Sequence, residues 1–146
     1  LVGSEMCIRD RYYIVHVGDS RIYQMSSTVQ QLTADQTLVA REIAAGRLTP
    51  EQAETDSRRS VLLQCIGASP VVEPDFVAGD IQAGATYMIC SDGFRHKISN
   101  DEIMSKIGPA ACGTEAEMED GCKFLTELVK YRKETDNITV VLIKTE

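Results

Sequence analysis

At 146 residues the chain is long enough to bury a real core and short enough for one domain. Apolar residues make up 43% and charged residues 25%, the balance of a globular protein rather than a disordered or fibrous one. A formal net charge of −7 argues against nucleic acid or an anionic membrane as partner, and no uninterrupted apolar run approaches the ~20 residues of a membrane span.

Five cysteines (Cys7, Cys65, Cys90, Cys112, Cys122) are scattered and form no C-x-x-C pair. Neither a disulfide framework nor a zinc ribbon is indicated, and a reducing, cytoplasmic compartment is expected. Cys90 lies in an apolar run and reads as a small core hydrophobe.

In chain order, the opening LVGSEMCIRDR (1–11) has neither strand alternation nor helical periodicity, and it abuts a convincing strand without turn chemistry. It resembles a translated sequencing-adapter scar and is set aside, which leaves one domain over 12–146 and the natural upstream residues absent. Tyr12–Val17 is β-branched and aromatic, Gly18-Asp19-Ser20 is turn-like, and Ile22–Met25 is placed to return as a second strand, with Val29–Leu32 a short third. Capping boxes at Thr33/Gln36, Thr49/Gln52, Ser99/Glu102 and Thr114/Glu117 mark four helix starts, and Gly46 and Gly108-Pro109 supply stops. A helix over about 114–131 carries Met118, Cys122, Leu125 and Val129 on one stripe, with Phe124, Leu128 and Tyr131 beside it. Further strands fit Pro74–Ile81, Thr86–Ser91 and Ile138–Lys144. Strands come in runs and helices in pairs, so the expected class is α+β with antiparallel layering.

Three aspartates stand at strand edges: Asp19 in HVGDSRIY, Asp92 in YMICSDGF and Asp136 in ETDNITVVLI. Hard divalent cations take oxygen ligands, and a strand end holds a carboxylate rigidly while a following Gly or Asn lets the chain turn away. Taken singly, each aspartate reads equally as a turn residue. His16 in an apolar strand reads as a satisfied core histidine rather than a catalyst, and Ser20 and Ser91 lack the Gly-x-Ser-x-Gly elbow of a serine hydrolase. Arg58-Arg59 read as solvated cations, with an acidic phosphoprotein as the alternative partner.

The ordered series VGDSRIY, LTADQT, LLQCIGAS, YMICSDGF and TDNITVVLI resembles the metal-dependent, type 2C serine/threonine protein phosphatases, the bacterial members most of all. The resemblance covers residues 12–145 and matches only a C-terminal portion of such a domain. It implies a β-sandwich flanked by antiparallel helices, with metals in a cleft at the sandwich edge. It also implies hydrolysis of phosphoserine and phosphothreonine in proteins by a water that two Mg²⁺ or Mn²⁺ ions activate. Carried over by motif, Asp92 and Asp136 bind the metal pair, and Asp19 with Asp92 serves a third, weaker site. No catalytic residue beyond these ligands is expected. The substrate is expected to meet the flap, about residues 35–60, with Ala34 to Ser60 as its widest bounds. Phosphorylated proteins and a serine/threonine kinase are the implied partners.

The departures are as informative. The family's DGHGG-type element, its first acidic pair and its phosphate-clamping arginine have no counterpart here, so strands of both sheets are expected to be missing and the fragment to be inactive. His96 occupies the place of a further acid, which Mg²⁺ would prefer. Two readings compete with the phosphatase: a regulatory phosphatase of the sporulation and stress-response type on the same fold, and a non-catalytic binding module, a pseudophosphatase.

Overall fold

The computed structural model describes residues 11–146, which form two antiparallel sheets and a set of helices. The strands are β1 (Arg11–His16), β2 (Arg21–Met25), β3 (Val29–Gln31), β4 (Asp75–Asp80), β5 (Thr86–Cys90) and β6 (Val140–Lys144). The helices are α1 (Leu38–Ala44), α2 (Pro50–Thr55), α3 (Asp92–Arg95), α4 (Asn100–Ile107) and α5 (Glu115–Tyr131), with one 3₁₀ turn at Pro109–Ala111. The segment set aside as a scar lies outside the described residues, except that Arg11 is already the first residue of β1, opposite Asp80.

The larger sheet runs β3-β2-β5-β6, and β1 pairs with β4 in a second, two-stranded sheet. Period-two alternation turns Tyr23, Met25, Met88 and Cys90 to one face, where Phe94, Ile103, Ile107, Cys112 and Leu125 from the helical layer close over them. Each such side chain contributes about 1.5–3 kcal/mol on burial, so this seam between sheet and helices is the chief source of stability. The Thr86 hydroxyl donates to the Ile107 carbonyl at 3.2 Å, which fastens the end of α4 to the sheet.

Three of the four expected capping boxes are present, at Thr49, Ser99 and Thr114. The fourth is not. Thr37 caps α1 instead, accepting from the Ala40 amide, while the Thr33 hydroxyl accepts from the Ile22 amide. The reason lies in Gln36, whose side-chain oxygen accepts from the buried Gly18 amide rather than folding back on Thr33. On α5, Leu125 and Val129 are buried and Met118, Cys122 and Leu128 pack against the core, but Phe124 and Tyr131 are exposed. Phe124 lies under the Lys106 ammonium, 4.5 Å from its ring centroid.

A second correction concerns β1 and β2, which do not form the expected hairpin. β1 pairs with β4, and Gly18 at φ 104° redirects the chain from one sheet to the other. The sheets meet through Tyr12 and Tyr87, whose ring centroids lie 6.0 Å apart. Coverage is incomplete. On the face of the larger sheet opposite the helices, Ile89, Val141 and Ile143 are 37%, 50% and 49% exposed. On the outer face of the small sheet Tyr13, Val15 and Phe76 are more exposed still. Among the described residues nothing covers these apolar faces.

The chain should accordingly bind a hydrophobic dye such as ANS in its folded state. Val15 and Phe76 are directly opposed on an uncovered face, so Val15→Thr with Phe76→Thr should weaken dye fluorescence and shift Tm by no more than about 4 °C. A collapse of the melt would show that this face is packed.

Candidate metal centre

Asp92 lies two residues beyond the end of β5 and opens α3, while Asp136 precedes β6, the neighbour of β5 in the sheet. Two bonds fix how these ends approach. The Ser91 hydroxyl donates to the Asn137 carbonyl at 2.8 Å and accepts from the Thr139 amide at 3.1 Å. This hydroxyl is occupied by cross-strand bonding, which disposes of Ser91 as a nucleophile. Next to it, Gly93 lies so close to the second strand that an added Cβ would stand 2.6 Å from the Asn137 carbonyl oxygen and 3.2 Å from the Asp136 Cβ. Glycine is therefore required at 93 by close approach. Asp92 and Asp136 are brought together.

Each of the two acids ties one oxygen to the next residue's amide. Asp92 Oδ1 accepts from Gly93 at 2.8 Å and Asp136 Oδ1 from Asn137 at 2.7 Å. The second oxygen of each makes no hydrogen bond among the described residues. Asp19 arrives from the other sheet, by way of Gly18. It does not come along the sheet that carries Asp92 and Asp136. Burial raises the Asp19 carboxyl above its ordinary value and repulsion from Asp92 and Asp35 adds to this, while Arg95 and a backbone amide oppose it. All three aspartates thus lie at one end of the two sheets.

Three residues that the sequence did not single out complete the surroundings. Glu134 accepts from the amides of Thr135 and Asp136 at 2.9 and 3.1 Å through one oxygen, and its other oxygen is buried without a hydrogen bond. Burial pushes the Glu134 carboxyl up, but those amides, with His96 and Lys97, outweigh burial and hold it below the usual range. Asp35 takes a two-pronged bond from Arg21 at 2.7 Å on each arm, and Arg95 approaches it at 3.5 Å. Gln36 bonds the Gly18 amide at 2.9 Å and Asp75 at 2.8 Å, so the entry to α1 also holds the Asp19 turn.

His96 lies 3.8 Å from Asp92 and 3.7 Å from Glu134, as a bridging cation when protonated. His16 is buried as expected, but it is not satisfied: neither ring nitrogen has a hydrogen-bond partner among the described residues. Arg58 is held by Asp56 at 2.8 Å, which leaves Arg59 to line the cleft. That cleft, about 1090 Å³, extends from Asp19 and Asp92 to α1 and α2.

Of the stretch read as the flap, Asp35 and Ser60, near its two ends, line the cleft, while Ala34 is exposed and does not line it. The neighbours of Ala34 explain this. Thr33 is tied inward to the Ile22 amide and Asp35 to Arg21, so the residue between them is left on the outside.

Whether these residues suit Mg²⁺ or Mn²⁺ is decided by donor type and number. Carboxylate oxygens are the right donors, and Asp92 and Asp136 each keep one without a hydrogen bond among the described residues, that of Asp92 lying 3.8 Å from His96 Nε2. No cluster of three or more His, Cys, Asp or Glu able to hold an ion is assembled among the described residues. The pair suits part of a coordination shell, to be completed by water and by ligands from elsewhere.

No protein-family profile matches the chain. Individual proteins do. It is 35% identical over 132 residues to a 2C-type protein phosphatase sequence of Streptococcus pyogenes, covering 90% of this chain and 52% of that one. It is 33% identical over 129 residues to the protein phosphatase PhpP of Streptococcus pneumoniae, 88% of this chain and 50% of the relative. Among solved structures, the serine/threonine phosphatase PstP/Ppp of Mycobacterium tuberculosis superposes with a TM-score of 0.81 at 31% identity, over 94% of this chain and 56% of that one. The S. agalactiae serine/threonine phosphatase gives 0.82 at 33%, with 94% and 55% covered. A structure of the PstP catalytic domain that holds two manganese ions matches at 29% identity, TM-score 0.73, over 94% of this chain and 55% of that one.

Over nearly all of its described length the chain is similar in sequence to the bacterial 2C-type serine/threonine phosphatases, and its fold is theirs. It spans about half the length of the streptococcal relatives it matches.

The close approach at Gly93 can be tested directly. Gly93→Ala must push the two strand ends apart, with an expected loss of about 1–3 kcal/mol. Mn²⁺ affinity, followed by calorimetry, should fall alongside Tm. Unchanged values of both would contradict the geometry.

Proposed function

We propose that this chain supplies one half of the active centre of a protein phosphatase that hydrolyses phosphoserine and phosphothreonine, with Asp92 and Asp136 as metal ligands. The observation that carries this reading is the backbone contact at Gly93, which brings two acids from separate strands to one place. The likeness to PhpP and to PstP, one structure of which contains two manganese ions, supports it.

Mg²⁺ or Mn²⁺, when bound, would supply an acidified water and neutralise charge on the phosphoryl oxygens. The chain's own residues do the rest. Asp92 and Asp136 would hold the metal pair, and Asp19 beside Asp92 would serve a third, weaker ion. Glu134 orders the turn that carries Asp136 through its two amide bonds. Arg21, clamped on Asp35, fixes the cleft wall, and residues 35–60, which include α1 and α2, form the substrate-facing flap. The substrate is a phosphorylated protein, made by a serine/threonine kinase in the cytoplasm. No helix among the described residues is long and apolar enough to cross a membrane.

The absence of a three-ligand cluster among the described residues favours one further point. The 146-residue chain by itself lacks turnover, and in that state it is no more than a binding module. Nothing observed favours the stress-response type of phosphatase over the family at large.

In the protein that carries this chain together with the remainder of the domain, Asp92→Asn or Asp136→Asn should lower Mn²⁺-dependent turnover of a phosphothreonine peptide by ~10³-fold or more. Asp19→Asn should cost less. Near-normal turnover in all three variants would remove the metal assignment.

A further inference from the structure

Five lysines and arginines line the cleft beside the acid pair: Arg21, Arg59, Arg95, Lys97 and Lys133. They divide into two groups. Arg21 and Arg95 are both directed at Asp35, so their charge is met inside the protein. Arg59, Lys97 and Lys133 make no ion pair among the described residues, and all three are exposed. Three unpaired cations facing one cleft are unusual in a chain of net charge −7.

Lys133 adds an independent observation. It follows the last turn of α5 at φ 61°, the one non-glycine residue with positive φ among the described residues. Its amide donates to the Lys130 carbonyl at 2.9 Å, and that of Glu134 to Val129 at 3.2 Å, the bonding of a left-handed helix C-terminus. Glycine is the favoured residue there, and a lysine costs about 1 kcal/mol. Strain retained at the mouth of a cleft points to a use for the side chain. Arg132 then fixes the neighbourhood. Its guanidinium donates to the Lys97 carbonyl at 2.6 Å while gripping Glu102 at 2.5 and 2.9 Å, so the backbones at 97 and 132 are clamped together. Lys97 and Lys133 are thereby set on one wall. Arg59, from the segment after α2, contributes from the flap.

We propose that this cleft selects phosphorylated protein segments with acidic residues beside the phosphorylated one, through Arg59, Lys97 and Lys133. The inference rests on the phosphatase reading and adds the class of sequence preferred. Carboxylates flanking the phosphate meet the three cations, while the phosphate is directed to the end of the cleft where Asp19 and Asp92 stand.

The test uses fluorescein-labelled phosphothreonine peptides that differ only in having acidic, neutral or basic flanks, titrated with the 146-residue chain in Mn²⁺ buffer and read by anisotropy. The acidic peptide should bind at least ~10-fold more tightly than the neutral one at low ionic strength, and the margin should shrink with added salt. Lys133→Gly should weaken the acidic peptide while raising Tm, a combination that a purely structural role for Lys133 would not give. Arg59→Ala and Lys97→Ala should each reduce the margin. Equal affinity for all three phosphopeptides overturns the inference and leaves the phosphatase reading untouched. Tight binding of the acidic peptide with and without its phosphate keeps the charge selection and counts against the phosphatase reading instead.

Discussion

Where β5 ends and the lead into β6 begins, two backbones pass so closely that no side chain fits at position 93. The rest of the site follows from this approach. Ser91 spans the gap with two hydrogen bonds, α3 starts at once with Asp92, and Asp136 stands opposite. The sheet and helix core must hold these two turns against one another. The core has the means: Phe94, two residues after Asp92, is fully buried among Met25, Met88, Ile103 and Leu125. Packing at Phe94 anchors the turn that Gly93 makes possible.

Charged groups of both signs surround this acid pair. Nearest are Asp19 and Glu134, the one with its proton affinity raised chiefly by burial, the other held ionised mainly by backbone amides. Around them stand Arg95 and His96, and beyond these Asp35 with Arg21. Gln36 joins the assembly to the flap, since it grips Gly18 on one side and Asp75 on the other. A displacement of α1 would therefore pass through Gln36 to the turn that carries Asp19. The outermost cations, Arg59, Lys97 and Lys133, face the open cleft.

Much of this was legible in the sequence, and the exceptions have physical causes. Strand positions came from alternation in runs such as YMIC and TVVLI, and helix starts from capping boxes at Thr49, Ser99 and Thr114. The α+β sandwich and the family likeness came from ordered motifs, and the acids were named from their strand-end setting. The pairing of strands was not legible, because a turn at Gly18-Asp19-Ser20 looks alike whether it closes a hairpin or switches sheets. Thr33 carried a capping signature that failed because the partner glutamine had a buried amide to satisfy elsewhere. The same rearrangement left Ala34 outside the cleft lining, since side-chain partners distant in sequence decide which way that stretch faces. Glu134 and Asp35 were missed because their importance is set by burial and by such distant partners, Arg21 for Asp35 and His96 for Glu134. His16 could be read as buried, but its lack of hydrogen-bond partners is set by neighbours distant in sequence.

The central claim is that Asp92 and Asp136, from two strands, would hold one metal centre together. Paramagnetic broadening by Mn²⁺ in amide-resolved NMR spectra of the chain tests it most directly. Substoichiometric Mn²⁺ should broaden the amides of Gly93 and Asn137 together, with Asp19 affected at the same concentrations and the β3 edge untouched. Broadening that reaches Gly93 and Asn137 at separate Mn²⁺ concentrations, or that spreads over unrelated surface acids, would contradict a shared site.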